Sequence, residues 1–338
     1  MKNSENKKLV LLTGAGGLLG SHITRELLLR NYSVVAFIEA GKEPSTLMGL
    51  TDVSFIYGDI LNVEEVISAS RHCDYIIHAA ANTTVIPARS QKTNDINIKG
   101  TQNIICAALQ NKVNRLIYIG SASSIGYGSI KNPGNETRPY CSAKFGLDYI
   151  DSKHKAHQIV LDSVKNEKLP AIILCPTFML GKYDSKPGSG AMIVSVHNGK
   201  LPGYSAGGRN YIYAADVAVA VVNSLERGQI GESYILGNQN LNYKNAFGLM
   251  AKTIGVKPPA IRLPKPIVLF YGILCSVISK IAKKNIPINF PMARIANEGV
   301  YYDSSKAIKE LGLPQTPITV AINECYSWLK KEGLLNKK

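Results

Sequence analysis

"KLVLLTGAGGLLG", Lys8–Gly20, is the stretch on which the reading of this chain turns. A short apolar run, as in a buried strand, stops at a glycine-rich turn holding Gly14, Gly17 and Gly20. Leu18, Leu19, Ile23, Leu27 and Leu28 then recur at helical spacing. Strand, glycine turn and helix, in that order, are what a phosphate cradle requires. Small residues let the backbone approach a pyrophosphate. The helix start supplies free N–H groups and the positive end of its dipole. A dinucleotide site is therefore expected at Gly14, Gly17, Leu18, Leu19 and Gly20.

Working outward, strand and helix signals alternate. After "SVVAFI" come "VSFIYGDI", the helical "NVEEVISAS", "DYIIHAAA" and the helical "NDINIKGTQNIICAALQNK". Then follow "RLIYIGSAS", a helix through Lys153, and "AIILCP". Six near-continuous apolar strands separated by helices predict right-handed crossovers and a parallel sheet buried on both faces. The fold class expected is α/β, a Rossmann-type doubly wound parallel sheet. Beyond Pro176 the rhythm loosens and Gly, Pro and Tyr become frequent. A helix, "DVAVAVVNSLERG", a strand, "ESYILG", and mostly helical sequence follow. The domain expectation is a dinucleotide-binding part over 1–176 to which 211–237 returns. A smaller, mostly helical substrate-binding region is expected over 177–210 and 238–338.

Composition narrows the class. The chain has 338 residues, 45% hydrophobic and 19% charged, a globular balance. The polar opening "MKNSENKKLV" predicts no secretory signal. Six scattered cysteines without CxxC, and six histidines without HxH or HxxxH, predict reduced thiols, a cytoplasmic setting and no metal site. Net charge is +15, and from Lys252 onward 14 Lys+Arg stand against 5 Asp+Glu. The basic residues are spread out and lack interleaved aromatics. A solvated face or steering of an anionic substrate is expected rather than nucleic-acid binding. The most apolar run, Ile267–Ile278, is shorter than the roughly 20 residues of a bilayer span. No integral membrane span is expected. A buried or surface-packed helix is the favoured reading, and a helix resting on a membrane, helped by the following "SKIAKK", is the other.

The glycine spacing is GxxGxxG. With it stand "GDI" at Gly58–Ile60, "HAAA" at His78–Ala81, "NIKGT" at Asn97–Thr101 and "YIGSAS" at Tyr118–Ser123. "YIDSKHKAH" at Tyr149–His157, "CPT" at Cys175–Thr177 and "DVA" at Asp216–Ala218 complete the set. Over nearly its whole length the chain resembles the extended branch of the short-chain dehydrogenase/reductase superfamily. The resemblance implies NAD or NADP as cofactor. It places Asp59, with Ile60 beside it, at the adenine, and Ala79, Ala80 and Ala81 along the ribose and nicotinamide. Pro176 and Thr177 would flank the nicotinamide, and Asn97 would support the catalytic lysine through water. At the end of the second strand, "AFIEAGK" puts Glu39 where a carboxylate accepts hydrogen bonds from ribose hydroxyls and repels a 2′-phosphate. NAD is favoured. Lys42, three residues on, leaves NADP open.

The superfamily's chemistry implies a Tyr acid/base, a Lys that binds ribose and depresses the Tyr pKa, and a Ser or Thr on the substrate oxygen. Two Tyr–Lys pairs have the required i, i+4 spacing: Tyr140 with Lys144 and Tyr149 with Lys153. After Lys153 the residues Ala156, Ile159, Val160 and Val164 continue one stripe, predicting a helix of about 24 Å. Tyr140 follows a proline in a polar stretch that reads as loop. Tyr149 and Lys153 are therefore preferred. The end of "RLIYIGS" places Ser121 at the catalytic position, with Ser123 as runner-up.

The expected reaction is hydride transfer between nicotinamide and a secondary alcohol or ketone. "PTFMLGKYDSKPGSG" and "YYDSSKAIKELGLP" resemble the dihydroflavonol-reductase and 3β-hydroxysteroid-dehydrogenase-like group, implying a hydrophobic or ring-shaped small-molecule substrate. "RNYIYAAD" at Arg209–Asp216 also resembles the diphosphate-binding segment of nucleotide-sugar epimerases, which leaves an epimerase or dehydratase as the alternative. A sensor without turnover is disfavoured by the complete Ser–Tyr–Lys set. The resemblance further implies a homodimer paired through the helices at 97–111 and 149–165. Ile104, Ala107, Ala108, Ile159 and Val160 are expected to offer the spare apolar surface.

Overall fold

The computed structural model describes residues 7–282, 286 and 288–335. The chain runs β1 (Leu9–Thr13), α1 (Leu18–Leu29), β2 (Ser33–Glu39), β3 (Val53–Gly58), α2 (Val63–Ala69) and β4 (Tyr75–His78). The next crossover is one helical passage in three parts: α3 (Gln91–Asn94), a π-helical turn over Asp95–Lys99, and α4 (Gly100–Gln110). β5 (Arg115–Ile119), α5 (Asp148–Glu167) and β6 (Ala171–Pro176) follow. Then come β7 (Phe178–Leu180), α6 (Ala191–His197), β8 (Gly208–Tyr213), α7 (Ala214–Asn223), β9 (Ser233–Leu236) and β10 (Gln239–Asn242). The chain ends with α8 (Tyr243–Ile254), α9 (Lys265–Ala282), α10 (Phe290–Ala296), β11 (Gly299–Val300), α11 (Ser305–Leu311) and α12 (Ile318–Lys331).

Seven strands form one parallel sheet in the order β3-β2-β1-β4-β5-β6-β9. Alternate residues of each strand feed opposite faces. Val10 and Leu12 meet Leu19, Ile23 and Val217 from α1 and α7. Leu11 meets Val66, Ile104, Ala156 and Val160 from α2, α4 and α5. Burial on both faces is why these strands read as unbroken apolar runs. Strand order reverses between β1 and β4, and the crevice opens there at the carboxyl ends of the strands.

One expectation is corrected by this packing. Ile104, Ala107, Ala108 and Val160 are fully buried in the subunit's own core, so they offer a partner no surface. Of that stripe only Ile159 stays partly exposed. A crossover helix spends its apolar face on the sheet it covers. The region after Pro176 is mostly helical, as expected, and also carries strands. β8 is the centre of a small second sheet, flanked by β7 and β11 in parallel and by β10 antiparallel. Tyr211–Tyr213 pair within this sheet. The return is made by α7 on α1 and by β9 beside β6.

The apolar run at Ile267–Ile278 is longer in space than in sequence. It sits within α9, 18 residues of mean hydropathy 1.6, long and apolar enough to cross a membrane by length and composition. Only Gly272 and Cys275 of α9 are buried, Gly272 against Ala293 and Phe290 of α10. Lys283 and Lys284 of the basic stretch that follows lie outside the described residues.

Candidate active site

The glycine turn is held by close backbone approach. Gly14 has φ +72°, and a Cβ there would stand 2.7 Å from the Ala80 nitrogen. A Cβ on Gly20 would run into the Gly14 carbonyl oxygen. Gly17 caps α1 without a side-chain bond. The N–H groups of Leu18, Leu19 and Gly20 therefore face the crevice side without helical acceptors. Leu19 itself points into the core, so these leucines offer backbone rather than side chain. This cradle, which side chains would fill, fits the pyrophosphate of a dinucleotide. Ala79, Ala80 and Ala81 line the opposite wall, half-buried, after β4.

Beneath the crevice runs a polar network not anticipated from sequence. The Thr13 hydroxyl lies 2.8 Å from His78 Nδ1 and accepts from the Ala80 N–H at 3.2 Å. His78 Nε2 lies 3.2 Å from the Thr101 hydroxyl, which donates to the Asn97 carbonyl at 2.7 Å. Burial pulls His78 down to about 3, so the ring is neutral and donates from one nitrogen only. Asn97, in the π-helical turn, closes on the Asn82 backbone from both sides, at 2.8 and 3.0 Å. Its amide also donates to the Ser152 hydroxyl at 2.9 Å, one residue before Lys153. Thr13, His78 and Thr101 all stood inside quoted motifs. What the sequence lacked was any sign that they face one another.

At the far end of the crevice, exposed Glu39 ends β2 and is ion-paired with Lys42. Asp59 is exposed after β3, its carboxylate accepting the Leu61 N–H at 2.9 Å. Ile60 packs against Gly100, where a Cβ would stand 3.2 Å from it.

Tyr149 and Lys153 lie one turn apart at the start of α5. Lys153 is only 4% exposed; its Nζ donates to the Ile119 carbonyl at 2.7 Å and sits 5.0 Å from the centre of the Tyr118 ring. No ion pair holds it among the described residues. Burial pulls its ammonium down to about 8. Burial pushes the Tyr149 phenol up, and the hydroxyl of Ser121 beside it pulls part of the way back. The Ser121 and Ser123 oxygens are 2.8 Å apart, but Ser121 is the one at the phenol. Tyr140 and Lys144 are elsewhere. The Tyr140 hydroxyl donates to Asp151 at 2.6 Å, and Lys144 is exposed in a 3-10 turn.

The small sheet supplies the remaining wall. Pro176 is buried at the end of β6, and the Thr177 hydroxyl donates to Asn210 at 2.8 Å. The Asn210 amide in turn donates to Asn240 at 2.8 Å, tying β8 to β10. Half-buried Arg209 donates to the Tyr243 hydroxyl at 2.8 Å and lies over Phe178, with no carboxylate partner among the described residues. Asp216 of the "DVA" motif is spent on Thr316, accepting its N–H and its hydroxyl, both at 2.8 Å.

Residues 10–237 match the family described as the NAD dependent epimerase/dehydratase family. A protein of Synechocystis sp. provisionally named dihydroflavonol 4-reductase is 26% identical over 95% of this chain and 94% of its own. The decarboxylating sterol-4-alpha-carboxylate 3-dehydrogenase of Candida albicans is 25% identical over 97% of this chain and 99% of its own. The crystal structure of gox2253 superposes with a TM-score of 0.85 at 28% identity, covering 97% of this chain and 99% of that one. The chain belongs to the NAD-dependent epimerase/dehydratase family, within the extended short-chain dehydrogenases/reductases, and is an enzyme of that nicotinamide-dinucleotide-dependent type.

Proposed function

We propose that the protein is an oxidoreductase that interconverts a secondary alcohol and a ketone on a hydrophobic, ring-shaped substrate. The carrying observation is the placing of the Tyr149 phenol beside Ser121, one helical turn from a buried lysine with no acidic partner among the described residues. The named activities of the two curated relatives, a reductase and a sterol 3-dehydrogenase, support the substrate class.

NAD, when bound, supplies the hydride acceptor or donor. The chain's residues do the rest. Ser121 donates to the substrate oxygen and holds it. Tyr149 takes the alcohol proton in oxidation and returns it in reduction. A free phenol with a pKa of about 10 is a poor base at neutral pH, and a neighbouring ammonium favours its anion. Lys153 is that ammonium, and it also donates to ribose hydroxyls. Asn97 acts as a positioning residue, fixing the Asn82 backbone and Ser152 on either side. Gly14, Gly17 and Gly20 admit the pyrophosphate, with Ala79–Ala81, Asp59, Ile60, Pro176 and Thr177 along the dinucleotide.

Glu39 favours NAD over NADP, because its carboxylate meets a ribose diol and opposes a phosphate. Its ion pair occupies Lys42, the cation that would otherwise serve a 2′-phosphate. Fluorescence titration is expected to show NADH binding about tenfold more tightly than NADPH, with Glu39→Arg reversing the order. Equal or tighter NADPH binding by the wild type would sink this assignment.

Arg209 favours a second reading. A half-buried guanidinium without a carboxylate can receive a diphosphate, which suits a nucleotide-sugar epimerase or dehydratase. A panel of hydroxysterols, flavonoid-like alcohols and UDP- or dTDP-sugars with NAD separates the two. The first reading expects NADH to accumulate with a ring alcohol and a raised melting point with the matching ketone. Thermal stabilisation by nucleotide sugars alone, with isomerisation and no net NADH, would replace it with the second. A homodimer through α4 and α5 would have to use Cys106, Leu109 and Ile159, and light scattering is its test.

A further inference from the structure

The outer face of α9 carries a long exposed apolar stripe. Ile267, Phe270, Leu274, Val277 and Ile281 follow one another at three- and four-residue steps and so form a single stripe. All five are exposed, Phe270 at 68% and Ile281 at 78%, and Tyr271, Ile273 and Ile278 widen the stripe. A surface helix normally turns such a stripe inward. Here the inward face is the poorer one, holding buried Gly272 and Cys275, with Gly272 seated on α10. A contiguous apolar surface of this kind marks an interaction site.

Its charge says with what. From Ser233 to Asn297 the sequence holds nine Lys or Arg and no Asp or Glu. Lys257, Arg262, Lys265 and Lys280 are exposed around α9, and none is in an ion pair among the described residues. A second copy meeting this face about a two-fold axis would bring two such cation sets together with no carboxylate of this segment to answer them. An anionic lipid surface complements both the apolar stripe and the cations at its ends.

We propose that α9 lies in the plane of an anionic bilayer, its outer stripe among the acyl chains and its flanking cations at the headgroups. It does so without crossing. Gly272 is packed so closely that a Cβ would stand 2.5 Å from that of Ala293, and the Ser276 hydroxyl accepts the Phe290 N–H at 2.8 Å. These contacts keep the helix on the body of the protein.

The placement joins the lipid surface to the active site. α10 and its cap bond to the loops beside the Tyr149 cluster: Asn289 donates to the Val85 carbonyl at 2.9 Å and Arg294 to the Lys144 carbonyl at 2.5 Å. Ile295 of α10 packs with Phe145, Leu147 and Ile150, the cluster against which Tyr149 rests. A bilayer under α9 would thus lie beside the entrance that a hydrophobic substrate would use. The docking itself needs neither the substrate nor the reaction to be as proposed above.

The test is flotation of the purified full chain with vesicles of phosphatidylcholine alone or with added phosphatidylglycerol. The wild type is expected to float with the anionic vesicles and much less with the neutral ones. Phe270→Glu/Leu274→Glu should cut the floated fraction at least tenfold, with NADH binding and melting temperature kept. Lys265→Glu/Lys280→Glu, which leaves the stripe intact, should remove the preference for anionic vesicles. No flotation of the wild type, or equal flotation of the Glu pair, overturns the proposal. So does an oligomer, seen by light scattering, that Phe270→Glu/Leu274→Glu dissolves, since the occupant would then be a second copy.

Discussion

Tyr140 with Lys144 and Tyr149 with Lys153 share residue types and spacing, lie nine residues apart, and have different surroundings. Only the second pair is helical throughout, so only there does the spacing stack one side chain above the other. Tyr140 precedes the 3-10 turn that holds Lys144. Its hydroxyl is given to Asp151, its ring lies flat on His154 at 4.0 Å, and burial together with that carboxylate pushes its pKa up. Lys144 sits in the open near Glu298, 3.9 Å away. Lys153 is buried with no ion-pair partner among the described residues, so its charge is available to whatever binds in the crevice. A motif at the right interval is a statement about distance. The work a phenol can do depends on which sign of charge surrounds it.

The hardest blow to this contrast would come from Tyr149→Phe. Removing one hydroxyl should leave the melting temperature and NADH affinity nearly unchanged and cut turnover roughly 10²–10⁴-fold. Steady-state rates on the substrate found by the panel measure it. A loss of less than tenfold would mean the proton moves elsewhere.

Lys153→Met sharpens the contrast in a second dimension. Burying an ammonium lowers its pKa from the usual 10.5 to about 8, so the folded state holds that proton less tightly than the unfolded chain does. The resulting destabilisation is complete below about pH 8 and is relieved as pH rises toward 10.5. Without cofactor, the methionine variant should therefore melt higher than the wild type at pH 7, by about 2–4 °C. The gap should close as pH rises through that window. NADH affinity and turnover should fall together. A variant that melts lower at every pH would show that the bond to the Ile119 carbonyl, not the burial of charge, dominates at this position.

The same distinction between pattern and surroundings governs what could be read from sequence. The seven-stranded sheet was legible because its central strands are near-full apolar runs and each crossover helix carries a stripe. The glycine turn was legible because its mechanism demands that order. The small sheet was not. β10 reads "QNLN" and β7 is three residues long, so neither carries a period, and both exist only by pairing with β8. The Thr13–His78–Thr101–Asn97 network joins residues up to 88 positions apart, and no local pattern announces that they converge. The stripe on α4 was visible but not its direction, since an apolar face reads the same whether it meets its own sheet or a partner. α9 makes the opposite case, with a stripe that faces outward. The Ser121–Ser123 ambiguity also had no local solution. Both hydroxyls follow β5 and lie 2.8 Å apart, so nothing local separates them.

The mildest test is the control that the contrast itself supplies. Tyr140→Phe removes the hydrogen bond to Asp151 and nothing from the crevice. Asp151 keeps Arg89 as a partner, at 3.2 Å, so its charge is not stranded. The variant should lose about 1 kcal/mol of stability, the typical worth of such a bond. The ring stacks on His154 and packs in the cluster that reaches the substrate mouth, and the phenylalanine preserves both contacts. Turnover should therefore change no more than several-fold, and any change should appear in KM rather than kcat. Lys144→Met should behave alike, because Lys144 neither reaches Tyr140 nor enters the crevice. If either substitution lowered kcat as far as Tyr149→Phe does, the two pairs would have exchanged roles, and the continuity of α5 through Lys153 would no longer identify the acid/base.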